Sequence, residues 1–503
     1  MAYRILIVFP IPSKSHSILG EGYVRHLLDA DHEVTYITPI IVKSSHPRLR
    51  QIDVSSNYDI MPFDKMFDIS KIIQSKSEFK NIRSSLYACA DLANYTIMHP
   101  NVQRLIHGTN VHFDVVISEW LFNELYSGFS SVFNCPLIWA SSMEPHPMVL
   151  DVMNDLLNPA YNPSYLSDLV APYDFWSRVE ELCTFVNVKI YKWWLGNKEK
   201  RMFTNAFGSA VEKRGRTLPS YSEVQYNASL MFGNSHVTTG PAICLPQNYV
   251  PIGGYHIKES RDPLPVNIQK ILQDAKDGLI FFSMGSMAKS SSIPVEIKND
   301  LLRMFGKLNR TILWKFEEDL PDLPRNVHIV PWAPQVEVLG HVNCELFITH
   351  GGLLSILESI HFGVPIIGIP LFGDQDLNVN RAVDKGFGKK VDLNSQIAVK
   401  MEAAIKEILH DDRFHKKAKE YSFIYHDRLM PQGRVLAHWV SHVIRTNGAR
   451  HLRSPAQLVP WYQKLYLDLV FAIIFVSYVL FKICVCIKSL CVFEMYTIKL
   501  KIS

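Results

Sequence analysis

Between Trp332 and Gln375 the chain reads WAPQVEVLGHVNCELFITHGGLLSILESIHFGVPIIGIPLFGDQ. The apolar run Glu345–Thr349 has strand character, and His350-Gly351-Gly352 breaks it just before a helical pattern from about Leu353 to His361. A helix N-terminus carries about half a positive charge and four unpaired N–H donors, so a diphosphate docks there readily. Ser355 adds a hydroxyl in the first turn. Glu358, one turn further on the same face, can accept from ribose hydroxyls. Beyond the next strand-like run, Val364–Pro370, Asp374 and Gln375 offer a carboxylate and an amide suited to sugar hydroxyls. Upstream, Trp332 can stack a flat base and Gln335 can pair with its edge. Together these spacings fit a nucleotide-sugar.

A second constellation lies nearer the start. Moving a sugar to a hydroxyl needs a base for the attacking group and stabilisation of the leaving charge. His16 follows the first apolar run, YRILIVFP, in a loop expected before a helix from about Ile18 to Ala30. Its neutral imidazole can take a proton near pH 7, and a carboxylate on the other ring nitrogen would fix the tautomer. Glu119 is the candidate partner, at the carboxyl end of the run Phe113–Ser118, with Asp114 in the same run as the weaker substitute.

These residues need two parallel sheets to position them. A strand, a loop, a helix and a second strand over Glu33–Thr38 open the chain, and a similar series starts at Leu279 (LIFFSMGS), with strands near Ile312–Phe316 and Val327–Val330. In each half the ligand edge is the carboxyl end of the strands. The expected architecture is α/β: residues 1–244 form a Rossmann-like domain that carries the candidate base and hence the acceptor, 245–265 a Pro- and Gly-rich linker, and 266–460 a Rossmann-like, nucleotide-sugar-binding domain with return helices. Residues 143–226 read as irregular, with aromatic-rich helical pieces such as Phe185–Trp194.

Composition agrees. The length of 503 residues, 48% hydrophobic and 20% charged, suits several globular domains, and a net charge of +4 without basic blocks argues against nucleic acid as a partner. Eight cysteines show no metal-site spacing; a disulfide among the five in the body stays unassigned.

The segment from Trp332 to Gln375 and the runs EWLFNELYSG and FITHGGLLS resemble the UDP-glycosyltransferases, most closely the insect branch, over nearly the whole chain. The resemblance implies a glycosyltransferase B type fold, two Rossmann-like domains facing across a cleft. It implies Trp332 and Gln335 on uracil, Glu358 on ribose, Ser286, His350 and Ser355 with the Gly351-Gly352 turn on the diphosphate, and Asp374 and Gln375 on the sugar. Ser15-His16 and Glu119 match the family's base and acid, where the usual acid is Asp; Leu354 stands where many relatives carry Asn. The implied reaction is inverting, metal-independent transfer of a hexose, glucose in the insect branch, to a small lipophilic phenol, xenobiotic or steroid, as in detoxification. UDP-glucose or a related UDP-hexose is a co-substrate, and no cofactor or metal is expected, with the helix termini and His350 neutralising the diphosphate. A UDP-sugar hydrolase or epimerase on the same fold, a silent nucleotide-sugar binder, and self-association into a homo-oligomer stay open.

From Leu465 to Ile487 runs LYLDLVFAIIFVSYVLFKICVCI, whose helical length of about 34 Å exceeds a hydrocarbon core of roughly 30 Å. A single-pass anchor in the lipid bilayer is expected, with residues 488–503 as a short tail. Lys499 and Lys501 resemble a dilysine retrieval signal for the endoplasmic reticulum, and Asn94, Asn227 and Asn309 stand in glycosylation sequons. The resemblance implies a lumenal body, although strand one begins at about Tyr3 with no leader before it, and a tail-anchored, cytosolic body is the alternative. On the lumenal expectation, protease added to intact microsomes leaves the body protected and glycosidase shifts its mass. A digestible, unglycosylated body would establish the cytosolic arrangement.

Overall fold

A computed structural model describes residues 2–62, 66–74, 81–153, 157–240, 242–259 and 262–502. Two parallel sheets organise it. The first has the order β3-β2-β1-β4-β5-β6-β7, built from β1 (Arg4–Val8), β2 (Glu33–Thr38), β3 (Leu49–Asp53), β4 (Val115–Trp120), β5 (Leu137–Ser141), β6 (Leu230–Gly233) and β7 (Tyr249–Pro251). The second runs β10-β9-β8-β11-β12-β13, from β8 (Leu279–Ser283), β9 (Thr311–Lys315), β10 (Val327–Val330), β11 (Cys344–Thr349), β12 (Ile366–Gly368) and β13 (Gly388–Lys390). β7 lies within the Pro- and Gly-rich stretch read as a linker, so part of that stretch closes an edge of the first sheet.

The strands are continuously apolar because both faces of each sheet are covered. Side chains alternate: Leu6 and Val8 enter one core while Ile5 and Ile7 enter the other. In the second sheet Ile280 and Phe282 face one core, and Leu279 and Phe281 the opposite one. Phe282 stacks on Trp314 with centroids 4.8 Å apart, both fully buried.

Five helices matter for the site and its surroundings: α1 (Lys14–Asp29), α2 (Phe175–Glu212), α3 (Leu353–Phe362), α4 (Gln375–Asp384) and α5 (Gln432–Arg445). α1 starts earlier than its apolar pattern suggests, because Ser13 takes the extended N-cap position and the polar residues 14–16 form the first turn. α2 is one helix of 38 residues where the sequence suggested irregular pieces. Its buried face carries Glu181 and Glu199, which hides the amphipathic period.

α5 returns from the second sheet to the first. Leu436, Val440 and Val443 are fully buried in the core shared with Leu27 and Val115. Gly433 permits the approach, since a Cβ there would lie 2.2 Å from the His26 ring of α1.

From Arg453 onward the chain forms a separate unit. Its main element is α6 (Leu467–Ile502), preceded by Tyr466 with φ of 55°. The apolar part, Leu467–Phe493, is 27 residues, and its most apolar 18 residues have mean hydropathy 2.7, long and apolar enough to cross a membrane. It begins after Leu465 and Tyr466, which lie in the preceding turn, and continues past Ile487. The side chains of Lys499 and Lys501 lie outside the described residues. Of the sequons, Asn227 and Asn309 are exposed, whereas Asn94 is half-buried in a helix and Thr96 of its triplet is buried. All eight cysteines are free thiols.

Leu436→Ala should destabilise the body by about 2–5 kcal/mol, the usual cost of a core Leu truncation. Differential scanning calorimetry of the full chain should show this as a lowered midpoint for the main transition, and an unmoved midpoint would put α5 outside the cooperative fold.

Candidate functional site

In each sheet the connections diverge between two neighbouring strands, leaving a crevice at their carboxyl ends. In the first sheet these strands are β1 and β4, in the second β8 and β11. The segments after all four face one cavity of about 450 Å³. Every sequence-predicted site residue lines it except Glu119 and Gly351, which stand directly behind it.

At the first crevice His16 sits in the opening turn of α1, not in a free loop. Its Nδ1 is in close hydrogen-bond contact with Oε1 of Glu119. Glu119, the penultimate residue of β4, is 1% exposed, and its Oε2 is buried without a partner among the described residues. The extra methylene relative to Asp is taken up by this reach. Asp114 is excluded as a substitute partner: it lies at the amino end of β4, accepting from the Arg4 backbone N–H at 2.7 Å. Five residues of strand, about 16 Å, separate it from Glu119.

At the second crevice the turn His350-Gly351-Gly352 leads into α3, whose N-cap Gly352 supplies no side-chain cap. The glycines have separate reasons. Gly351 has φ of +83°, and Cβ atoms at Gly285 and Gly352 would come within 2.4 and 2.6 Å of the His350 ring. The ring is therefore sandwiched between two backbones. Burial, reinforced by the Lys315 ammonium, pushes His350 down to about 4, so the imidazole is neutral at pH 7 in the ligand-free protein. Ser286 lies in the turn after β8, well ahead of the next α-helix at Val295.

The cation at this point is Lys315, at the carboxyl end of β9. Its Nζ donates to the Gly285 carbonyl at 2.9 Å and to Glu317 at 2.7 Å, and lies 5.6 Å from the centroid of the Trp332 ring. Lys14 of the first half approaches the same ring at 5.9 Å. The sequence reading passed over Lys315, although a lysine closing the apolar strand TILWK at a ligand edge was a usable signal.

Glu358 is held from two directions. Gln335 donates to its Oε2 at 2.6 Å and to Ser355 Oγ at 3.0 Å, while His256 Nε2 lies 3.1 Å from its Oε1. His256 comes from the stretch between the sheets, and no local pattern announces it. Gln375 Oε1 accepts from the backbone N–H groups of Leu371 and Phe372, leaving its amide NH₂ for a ligand. Asp374 accepts from Asn378 at 3.0 Å, and burial raises its carboxyl. The opposite end of the cavity is apolar, with Met61, Leu121, Phe122, Met143 and the stacked pair Phe67–Phe372, whose centroids are 3.9 Å apart. Among the described residues no group of three or more His, Cys, Asp or Glu side chains is arranged to hold a metal ion.

Comparison with known proteins agrees in scope. Residues 5–501 match the family described as UDP-glucoronosyl and UDP-glucosyl transferase. UDP-glucosyltransferase 2 of Dactylopius coccus is 33% identical over 97% of this chain and 92% of its own length. UDP-glucuronosyltransferase 2B7 of Homo sapiens is 30% identical over 74% of this chain and 69% of its own. Among solved structures, the glycotransferase of kitacinnamycin matches with a TM-score of 0.57 at 16% identity, covering 89% of this chain and 99% of that one. The glycosyltransferase VinC in complex with DTDP gives 0.55 at 15% identity, covering 88% and 99%. At such identities the likeness is one of fold, two Rossmann-like halves of glycosyltransferase B type.

The neutrality of His350 has a pH signature. An unfolded histidine titrates near 6.5, whereas here the folded value is about 4. Between those values the unfolded chain binds a proton that the folded chain refuses, so this residue lowers stability as pH falls from about 6.5 to about 4 and no further below. His350→Gln removes the effect. The thermal midpoint of the parent should therefore drop more than that of the variant between pH 7 and pH 4.5, and parallel drops would contradict a neutral, buried imidazole.

Proposed function

The chain belongs to the family of UDP-glucosyl and UDP-glucuronosyl transferases, and from that premise we propose that it moves glucose from UDP-glucose to a hydroxyl of a small lipophilic acceptor, with inversion at the anomeric carbon. The observation that carries this reading is the His16–Glu119 pair facing the cavity opposite the α3 N-terminus. Glucose is favoured by the name of the relative that matches over 97% of the chain, a UDP-glucosyltransferase. A lipophilic acceptor is favoured by the apolar end of the cavity.

In this mechanism Glu119 accepts the Nδ1–H of His16, which leaves the Nε2 lone pair for the acceptor hydroxyl. As the acceptor oxygen bonds to the anomeric carbon its proton passes to Nε2, and Glu119 stabilises the imidazolium. The bond from that carbon to the UDP oxygen breaks on the opposite face, through a transition state with oxocarbenium character. The diphosphate gains negative charge. Lys315, the uncapped N–H groups opening α3 and the Ser286 and Ser355 hydroxyls answer it, with His350 as a neutral hydrogen-bonding partner. Trp332 and Gln335 take the uracil, Glu358 the ribose, and Asp374 with the Gln375 amide the sugar hydroxyls. This charge set supports a reaction without a divalent ion.

His16→Ala should lower kcat by about a hundredfold or more with little change in UDP affinity. Glu119→Gln should lower it too, while Asp114→Asn leaves it unchanged. An undiminished kcat in His16→Ala removes the base from the scheme. Asp374→Ala should impair use of UDP-glucose but spare inhibition by UDP, and activity should survive EDTA. Loss with chelator and recovery with a divalent ion would overturn the metal-free reading.

A further inference from the structure

The turn Leu371–Asp374 leads into α4 at the sugar end of the cavity, yet it has no regular structure of its own. It also orients Gln375. The side-chain Oε1 accepts from the backbone N–H groups of Leu371 and Phe372 at 2.8 and 3.2 Å, so the direction of the amide NH₂ follows from the shape of the turn.

Two straps from the first half grip this turn. The first comprises Phe67 and the short helix Ile69–Gln74. Ile69 and Ile72, 0% and 1% exposed, are buried in a core of the second sheet, not of the first. The Ile69 N–H donates to Ser292 Oγ at 3.1 Å, and the Ser70 hydroxyl donates to the Ser292 carbonyl at 2.7 Å. Anchored in this way, Phe67 lays its ring on Phe372 at an interplanar angle of 24°. The second strap is the irregular segment from Tyr165 to Asp168. Asn380 of α4 donates to the Asp168 carbonyl at 2.6 Å, and the Tyr165 hydroxyl closes over Gly373, where an added Cβ would lie 2.9 Å from it. Phe67, Tyr165 and the turn from Phe372 to Gln375 all line the large cavity.

Groups that read a ligand by hydrogen bonds must be held to within about 0.5 Å, and an irregular turn achieves this only with outside support. We propose that Phe67 and the Asn380–Asp168 bond are positioning elements of the sugar site. They clasp the turn from the first half, so that Asp374 and the Gln375 amide meet the sugar in register with His16, which belongs to that same half. The inference rests on the assignment of Asp374 and Gln375 to the sugar in the proposed function. Trp332 and Gln335 follow β10 and Glu358 lies in α3, so the residues assigned to uridine stand on other elements. The clasp therefore serves the sugar and not the UDP.

The test measures binding of UDP-glucose and of UDP to the full-length chain in lipid nanodiscs by isothermal titration calorimetry. No acceptor is present, so altered acceptor packing does not enter. Phe67→Ala and Asn380→Ala should weaken UDP-glucose by about tenfold and about threefold, the scale of one misplaced hydrogen bond, and leave UDP within about twofold. Asn380 does not line the cavity, so its effect cannot come from a lost ligand contact. Phe67→Tyr, which keeps the stacked ring, should bind UDP-glucose like the parent. Retained UDP affinity shows that the variants are folded. An undiminished UDP-glucose affinity in either alanine variant overturns the clasp. So does an equal loss for both ligands, which would make the straps general supports of the second half. Asp374→Ala separates the two levels: if it too spares UDP-glucose, the sugar assignment fails and the clasp with it, whereas if it weakens UDP-glucose and the strap variants do not, the clasp alone fails.

Discussion

A carboxylate at the end of β4, with almost no exposure to water, is tolerated only if something answers its charge. Glu119 is answered by His16, delivered from β1, the neighbouring strand on the other side of the crevice. The pairing ties the geometry of the proposed base to sheet register: β1 and β4 run in parallel with Val8 opposite Ser118, so the turn after Val8 must open beside Glu119. A shift of one residue would point Glu119 to the other face of the sheet. Burial, tautomer and position of the imidazole follow from one contact.

The second sheet solves a different problem, presenting backbone N–H groups at the cavity while keeping a histidine among them. Gly285 and Gly352 leave the space the His350 ring fills, and Gly351 takes the left-handed turn. Burial keeps that imidazole neutral, and the cation beside it is Lys315, itself paired with Glu317. The two sheets are joined by more than covalent linkage. His256 reaches Glu358, Ser70 donates to the Ser292 carbonyl at 2.7 Å, and α5 packs its buried face on the first sheet. Contacts of this kind hold the proposed base and donor pocket on one cavity.

Much of this was legible because it is local. The strand, glycine turn and helix around His350 lie within one short stretch, and the doubly wound pattern places its polar residues on one edge. His16 and Glu119 could be nominated for a similar reason, one following a buried strand and the other ending one. What the sequence did not resolve depends on tertiary position. Asp114 and Glu119 flank the same apolar run, and only strand direction sends one to the ligand edge and the other to the Arg4 backbone. His256 has no local signature at all. α2 escaped recognition as a single helix because Glu181 and Glu199 interrupt its buried side while Trp176, Leu182 and Trp193 are exposed, which blurs the apolar period used to find helices. The start of α1 was placed late because its first turn is polar and its cap is a serine that only backbone geometry identifies.

The account is tested most directly by incubating membranes that carry the full chain with UDP-glucose and a panel of phenols, then analysing products by mass spectrometry and proton NMR. It predicts a phenyl glucoside formed in step with UDP, with the β configuration at the anomeric carbon, and little or no product from UDP-glucuronic acid. Release of free glucose without glycoside, conversion of the UDP-sugar to an epimer, or a retained α linkage would contradict direct displacement by an acceptor activated at His16.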